Sequence, residues 1–172
     1  HSQDYVDPGK KDHKGIKHQM GKNEFSTFIK NIDKNFYLDA YFAQDRGGAF
    51  FSKLMPNDIK NKKVLEIGCG LGAHTEVLAQ KKAKLTSIDL ASTSIKVTKK
   101  RLKIKNLKAN VLECDAEKLP FPNNYFDIVW SWGVIHHSPD TKKCAQEISR
   151  VLVKNGMLYI MLYNKNSLYN WI

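Results

Sequence analysis

The rhythm of apolar and polar positions changes once along the chain. From Glu24 to Phe42, the residues Phe25, Phe28, Ile29, Ile32, Phe36 and Tyr37 recur at spacings of three and four, which predicts an amphipathic helix. A second short helix is predicted after Gly47 and Gly48, carrying Ala49, Phe50 and Leu54. It ends before Pro56, because the residue ahead of a proline is pushed out of the helical region. Beyond residue 60, short apolar runs alternate with helical segments. "KVLEIG", "KLTSID", "ANVLECD", "YFDIVWSW" and "GMLYIMLY" read as strands. "HTEVLAQKKA", "TSIKVTKKRLKIKN" with Ser92 as its cap, and "TKKCAQEISRVLVKN" behind Pro139 and Asp140 read as helices,. Strands apolar on both faces and separated by helices predict an α/β, Rossmann-like parallel sheet of at least five strands, with helices on both faces and an N-terminal helical extension.

The same pattern divides the chain. Residues 1–23 are polar and rich in Lys, His and Gly, too poor in apolar side chains to offset their ordering entropy, and read as a flexible basic tail. Its first four residues, "HSQD", read as a tag remnant,. Residues 24–60 form a helical cap, and 61–172 the sheet domain.

Composition narrows the classes of function. A chain of 172 residues that is 42% hydrophobic fits one domain with a real core. No run of about 18 apolar residues occurs, so neither a membrane span nor a signal peptide is expected. Cys69, Cys114 and Cys144 are odd in number and widely spaced, which fits reduced thiols and a cytoplasmic protein. The formal charge of +11 raises nucleic acid as a partner. Lys supplies most of it, with only Arg46, Arg101 and Arg150 as arginines, whereas bidentate phosphate recognition favours Arg. A solvated lysine surface is the preferred reading.

In a sheet of this kind ligands sit at the carboxyl ends of the strands. "GCGLGA" follows the first strand with Gly68, Gly70 and Gly72. Such a turn lets backbone approach a ligand and aims helix-start amides at a negative group. It equally closes a tight strand-to-helix turn, and alone it does not separate a nicotinamide dinucleotide from another adenosine cofactor. Asp89 ends the second strand, about 20 residues beyond the glycines, where a carboxylate accepts both hydroxyls of a ribose. A helix-capping role is the alternative.

Taken together, "VLEIGCGLG", "SIDLA", "ECDAEKLPFPNNYFDIVWSWGVIHH" and "EISRVLVKNGMLYIMLY" resemble, in order and spacing, the motifs of class I S-adenosylmethionine-dependent methyltransferases. The likeness covers about residues 62–163 and is nearest the subgroup that methylates small molecules, with some similarity to tRNA wobble-uridine methyltransferases through "VIHH". The resemblance implies S-adenosyl-L-methionine as cofactor, S-adenosyl-L-homocysteine as product and a small-molecule acceptor. An RNA acceptor, or a cofactor-binding subunit without catalysis, is the alternative. It places Glu66 and the Gly68, Cys69, Gly70 and Gly72 backbone around the methionine part, Asp89 on the ribose and Leu90 beside the adenine. Asp115 and Ala116 meet the adenine amino edge, and Ser131 and Trp132 line the methionyl and substrate side. Asp115 could instead cap the following turn, and Trp132 could be core.

Methyl transfer from a sulfonium requires alignment and exclusion of water, and a base only where the acceptor carries a proton. His136 and His137 are the candidates for that base, or they shape the pocket. Their spacing to Cys144 matches no zinc pattern, so no metal is expected. Tyr37 and Tyr41 are expected in the acceptor pocket. The family ends its sheet with two more strands, whereas "NKNSLYNWI" closes this chain soon after the fifth. An apolar edge there predicts either a longer enzyme or a partner chain that covers it.

Overall fold

The computed structural model describes residues 20–39 and 58–163. The elements run α1 (Lys22–Asp39), β1 (Lys63–Ile67), α2 (Ala73–Gln80), β2 (Lys84–Asp89), α3 (Ser92–Ile104), β3 (Asn110–Glu113), β4 (Phe126–Trp132), a 3-10 turn (Ile135–His137), α4 (Thr141–Val151) and β5 (Leu152–Met161). The short helix expected after Gly48 lies outside the described residues, as does Tyr41.

All five strands pair in parallel in the order β3-β2-β1-β4-β5. The chain builds outward from β1 to β3 and then crosses back to β4, so the order reverses between β1 and β4. Loops leaving those two strands diverge there and open a crevice at their carboxyl ends. Strand alternation sorts the core into two layers. Val64, Leu85, Val111, Ile128 and Trp130 meet Leu78 and Ala79 of α2 and Ile95 and Leu102 of α3. Leu65, Ile67, Ile88 and Val129 meet Cys144, Ile148 and Val151 of α4 on the other side. Leu65 and Ile67 are essentially inaccessible, each stabilising the fold by about 1.5–3 kcal/mol. The sheet is therefore Rossmann-like, with helices on both faces.

Helix α1 packs Phe25 and Ile29 against Val97 of α3. A buried ion network fixes its position: Arg101 donates Nε to Glu76 at 2.7 Å and its two terminal nitrogens to Asp33 at 2.8 and 2.6 Å.

Two local expectations need correction. Ser92 does not cap α3; the cap is Ala91, in extended backbone without a side-chain bond. Asp89 organises that turn instead, its Oδ1 accepting the Ala91 amide at 2.9 Å. The last helix stops at Val151 rather than Asn155, because Leu152 is drawn into the sheet opposite Phe126. A register shift follows, and Asn155 takes a left-handed φ of 63° before pairing resumes at Met157 with Ile128. Along this edge of the sheet Met157 and Leu158 are exposed. Among the described residues no helix is long and apolar enough to cross a membrane.

Candidate functional site

The glycine loop begins where β1 ends. The amides of Gly68 and Cys69 both donate to the Ile88 carbonyl, at 2.8 and 2.9 Å, so the loop is stitched to β2 as it leaves the sheet. Gly68, Gly70 and Gly72 have φ of 77°, 50° and 82°, a region that L side chains rarely adopt. The three differ in what surrounds them. A Cβ on Gly68 would lie 2.2 Å from Cγ2 of Val134, and one on Gly72 2.9 Å from Oγ1 of Thr98. A Cβ on Gly70 would meet nothing within 4 Å. Gly68 and Gly72 are thus required by packing, whereas Gly70 faces open space.

Asp89 belongs to this loop. Its Oδ2 accepts the Gly70 amide at 2.8 Å and its Oδ1 the Ala91 amide, while the Thr98 hydroxyl donates to the Gly70 carbonyl at 3.0 Å. A carboxylate oxygen has lone pairs for more than one donor, so Asp89 can hold the loop and still accept ribose hydroxyls. Leu90, next in the chain, is 68% exposed, an apolar surface available to a flat ring.

Glu66 lies beneath the loop and is buried. Its Oε2 accepts hydroxyls from Thr75 and Ser87, each at 2.6 Å. Burial raises its pKa to about 7, and the negative charge of Asp89 adds to this against the two hydroxyl bonds. The Cys69 thiol is raised as well, mainly by burial and then by Glu66, so it is a packing group rather than a nucleophile. Asp115 is exposed, and its Oδ1 accepts the Glu117 amide at 2.8 Å. It thus caps its own turn, with half-buried Ala116 beside it.

At the end of β4, Ser131 is buried and its hydroxyl has no partner among the described residues. Trp132 stacks on Trp130 at 5.3 Å between ring centres and 11° between planes, which continues a row through Tyr159. His136 and His137 follow on the 3-10 turn. His136 is half-buried, and both its ring nitrogens are closed off from solvent without a hydrogen-bond partner among the described residues. Burial lowers its pKa, helped by the neighbouring His137. His137 is exposed. Tyr37 lies in the last turn of α1.

The structure therefore gathers Glu66, the glycines, Asp89, Leu90, Ser131, Trp132 and the histidine pair at one end of the sheet. Among the described residues no group of three or more His, Cys, Asp or Glu side chains is placed to hold a metal. Several residues of this end were not foreseen. Thr75 and Ser87 cage Glu66, and the Ser87 part follows from register, since Glu66 and Ser87 are β1–β2 partners. His74 accepts the Trp130 indole N–H at Nδ1, at 3.2 Å. Val134 and Tyr163 carry no pattern in the sequence that would have marked them.

The chain is similar to a ubiquinone biosynthesis O-methyltransferase of Coxiella burnetii, 30% identical over 63% of this chain and 46% of the relative. It is similar too to a malonyl-[acyl-carrier protein] O-methyltransferase of Legionella pneumophila, 30% identical over 79% and 48%. The chain thus spans about half the length of these relatives. A SAM dependent methyltransferase of Aquifex aeolicus shares the fold, with a TM-score of 0.63 and 21% identity over 87% of this chain and 76% of that one. The methyltransferase domain family matches residues 65–160. Because that match runs from β1 into β5 and takes in the loop and the acids around it, the chain belongs to the methyltransferase domain family.

Proposed function

We propose that the protein binds S-adenosylmethionine across the carboxyl ends of β1 and β2 and moves its methyl group to a small-molecule acceptor held beside β4. The observation that carries this reading is the Gly70–Asp89 pair: a carboxylate bonded to the amide of the one loop glycine whose Cβ position is open. Asp89 accepts the ribose hydroxyls, Leu90 covers the adenine, and Asp115 and the Ala116 amide meet its amino edge. Glu66 and the Gly68 to Gly72 backbone, Cys69 included, surround the methionine part. When bound, the cofactor supplies a methyl on a cationic sulfur, open to in-line displacement. The chain's own work is alignment and exclusion of water: Trp132 and the Ser131 hydroxyl, unpartnered among the described residues, border the reacting side. One of the two histidines receives a proton where the acceptor has one.

The three free cysteines support a reducing compartment such as the cytoplasm. Exposed Met157 and Leu158 support assembly through the β5 edge, which sedimentation over a range of concentrations tests.

Calorimetric titration with S-adenosylmethionine, S-adenosylhomocysteine and NADH tests the central reading. Binding of the two sulfur compounds alone is the expected result. Binding of NADH, or of none of the three, would overturn it.

A further inference from the structure

Two turns border the carboxyl end of the sheet beyond the glycine loop. One follows β3 and carries Asp115 and Ala116; the other follows β4 and runs from Gly133 to Asp140. A single side chain joins them. Glu117 extends from the first turn, and its Oε1 accepts both the Ser138 hydroxyl and the Asp140 amide, the latter at 3.0 Å. Those bonds, the Ser138 hydroxyl first and the Asp140 amide second, hold its carboxyl below the usual carboxylate range.

Each turn also has fastenings that do not involve this side chain. In the first, Asp115 accepts the Glu117 amide through Oδ1 at 2.8 Å and the Lys118 amide through its carbonyl at 3.1 Å. In the second, the His137 and Ser138 amides donate to the Val134 and Ile135 carbonyls at 2.9 and 3.2 Å, and Asp140 caps α4 by accepting the Lys143 amide at 2.9 Å. Farther along, Glu147 accepts the Leu119 amide, and Arg150 donates to the Leu119 and Phe121 carbonyls, which fixes the rest of the β3–β4 connection to α4. Truncating Glu117 therefore cuts the tie and dissolves neither turn.

What the second turn touches gives the tie its importance. Val134, at its start, lies where a Cβ on Gly68 would fall, and on its outer side the Tyr163 ring lies 4.3 Å from that of His136. The turn thus abuts the glycine loop directly and the Asp115 turn through Glu117. These are the two ends of the cradle in which we place the cofactor.

We propose that Glu117 is a positioning residue for methyl transfer: it ties the turn at the adenine edge to the turn after β4, so that bound cofactor fixes the frame against which the acceptor is aligned. This deepens the methyltransferase reading and rests on it. Coupling needs a contiguous physical connection, and here it is one side chain long. A misplacement of about 1 Å costs transfer about 100-fold, so the tie acts on alignment without touching the reacting atoms.

The test follows amide hydrogen exchange across the whole chain with and without S-adenosylhomocysteine, beside calorimetry of the same samples. In the parent the ligand should slow exchange at Lys118 and, by about tenfold or more, at His137 and Ser138. In Glu117→Ala the Lys118 response should persist while that of His137 and Ser138 falls below about twofold. The Asp140 amide loses its own partner in this variant and is not a reporter. Glu117→Gln keeps an accepting oxygen and should restore the response; Ser138→Ala keeps only the Asp140 bond and should reduce it at His137 to about threefold. Exchange from β1 should be the same in all four proteins. A parental response in either truncated variant, no rescue by Glu117→Gln, β1 exchange that rises with that of the turn, or a parent that binds the ligand without a response at His137 and Ser138 would each overturn the assignment and leave the cofactor reading intact. A parent that binds no S-adenosylhomocysteine would overturn the reading beneath it.

Discussion

Asp89 accepts the Gly70 amide through Oδ2 at 2.8 Å while its Oδ1 accepts the amide of Ala91, so the acid we propose for the ribose also shapes the loop and the start of α3. Replacement therefore has two effects that differ in kind. Asp89→Ala should weaken S-adenosylmethionine binding by more than about tenfold, and it should lower stability by about 1–2 kcal/mol through the lost amide bonds. Asp89→Asn keeps an acceptor oxygen and should be milder in stability yet still bind about tenfold more weakly. Calorimetry beside urea unfolding separates the two; a folded Asp89→Asn protein with parental affinity would remove the ribose from this position.

The loop glycines allow a sharper comparison. Gly68→Ala adds a methyl 2.2 Å from Cγ2 of Val134 at a φ of 77°, so strain and overpacking combine to about 2–4 kcal/mol. Val134→Ala in the same chain should restore part of that loss. Gly70→Ala meets open space at a φ of 50° and should cost only about 1 kcal/mol. Its effect should fall on binding, with affinity for S-adenosylmethionine down about tenfold or more. Parental affinity in Gly70→Ala would show that the open space is not the cofactor's.

What could be read without the structure follows a physical line. Strand and helix alternation is carried by the chain's periodicity, and the glycine loop and Asp89 stand out through local motif spacing and the family resemblance. The Arg101 link to Asp33 joins residues far apart in the chain, and only the docking of α1 onto α3 creates it. The end of α4 was missed because the competing partner for Leu152 is Phe126 in another strand. His74 carries no mark in the sequence, since nothing local announces that Trp130 donates to it. The histidine pair was visible as a pair, but the difference between its members arises from burial and from Tyr163.

Arg101 is the next test, because it is 4% exposed and joined to two acids. Arg101→Met leaves Glu76 and Asp33 without their shared partner, and removing one member of a buried ion network costs about 3–5 kcal/mol. Lys105 also reaches Glu76, at 3.2 Å, which places the expected loss near the lower figure. Hydrogen exchange should show α1 amides near Phe25 and Ile29 opening before those of β1. Exchange from α1 unchanged in Arg101→Met would mean that Phe25 and Ile29 dock the helix unaided.

Two buried groups should make stability respond to pH in opposite senses. The Glu66 pKa rises from an ordinary 4.5 to about 7 on folding, so the native state keeps a proton that the unfolded chain releases. Its contribution is whole below pH 4.5 and is lost as pH rises to about 7. The His74 pKa falls from 6.5 to about 3, mainly through burial, so its contribution is whole above pH 6.5 and is lost as pH falls to about 3. Each slope is about 1.4 kcal/mol per pH unit. Between pH 4.5 and 6.5, where both ranges overlap, the slopes cancel. Glu66→Gln should therefore expose a rise of stability with pH across that window, by about 2 kcal/mol relative to the parent, since each group is half titrated at one end of it. His74→Gln, which keeps an acceptor for Trp130, should expose a fall of similar size. Urea unfolding of the three proteins at pH 4.5, 5.5 and 6.5 measures the differences, from which all other titrating groups drop out. If both variants track the parent, then neither group titrates differently in the folded chain, and the burial assigned to Glu66 and His74 is wrong.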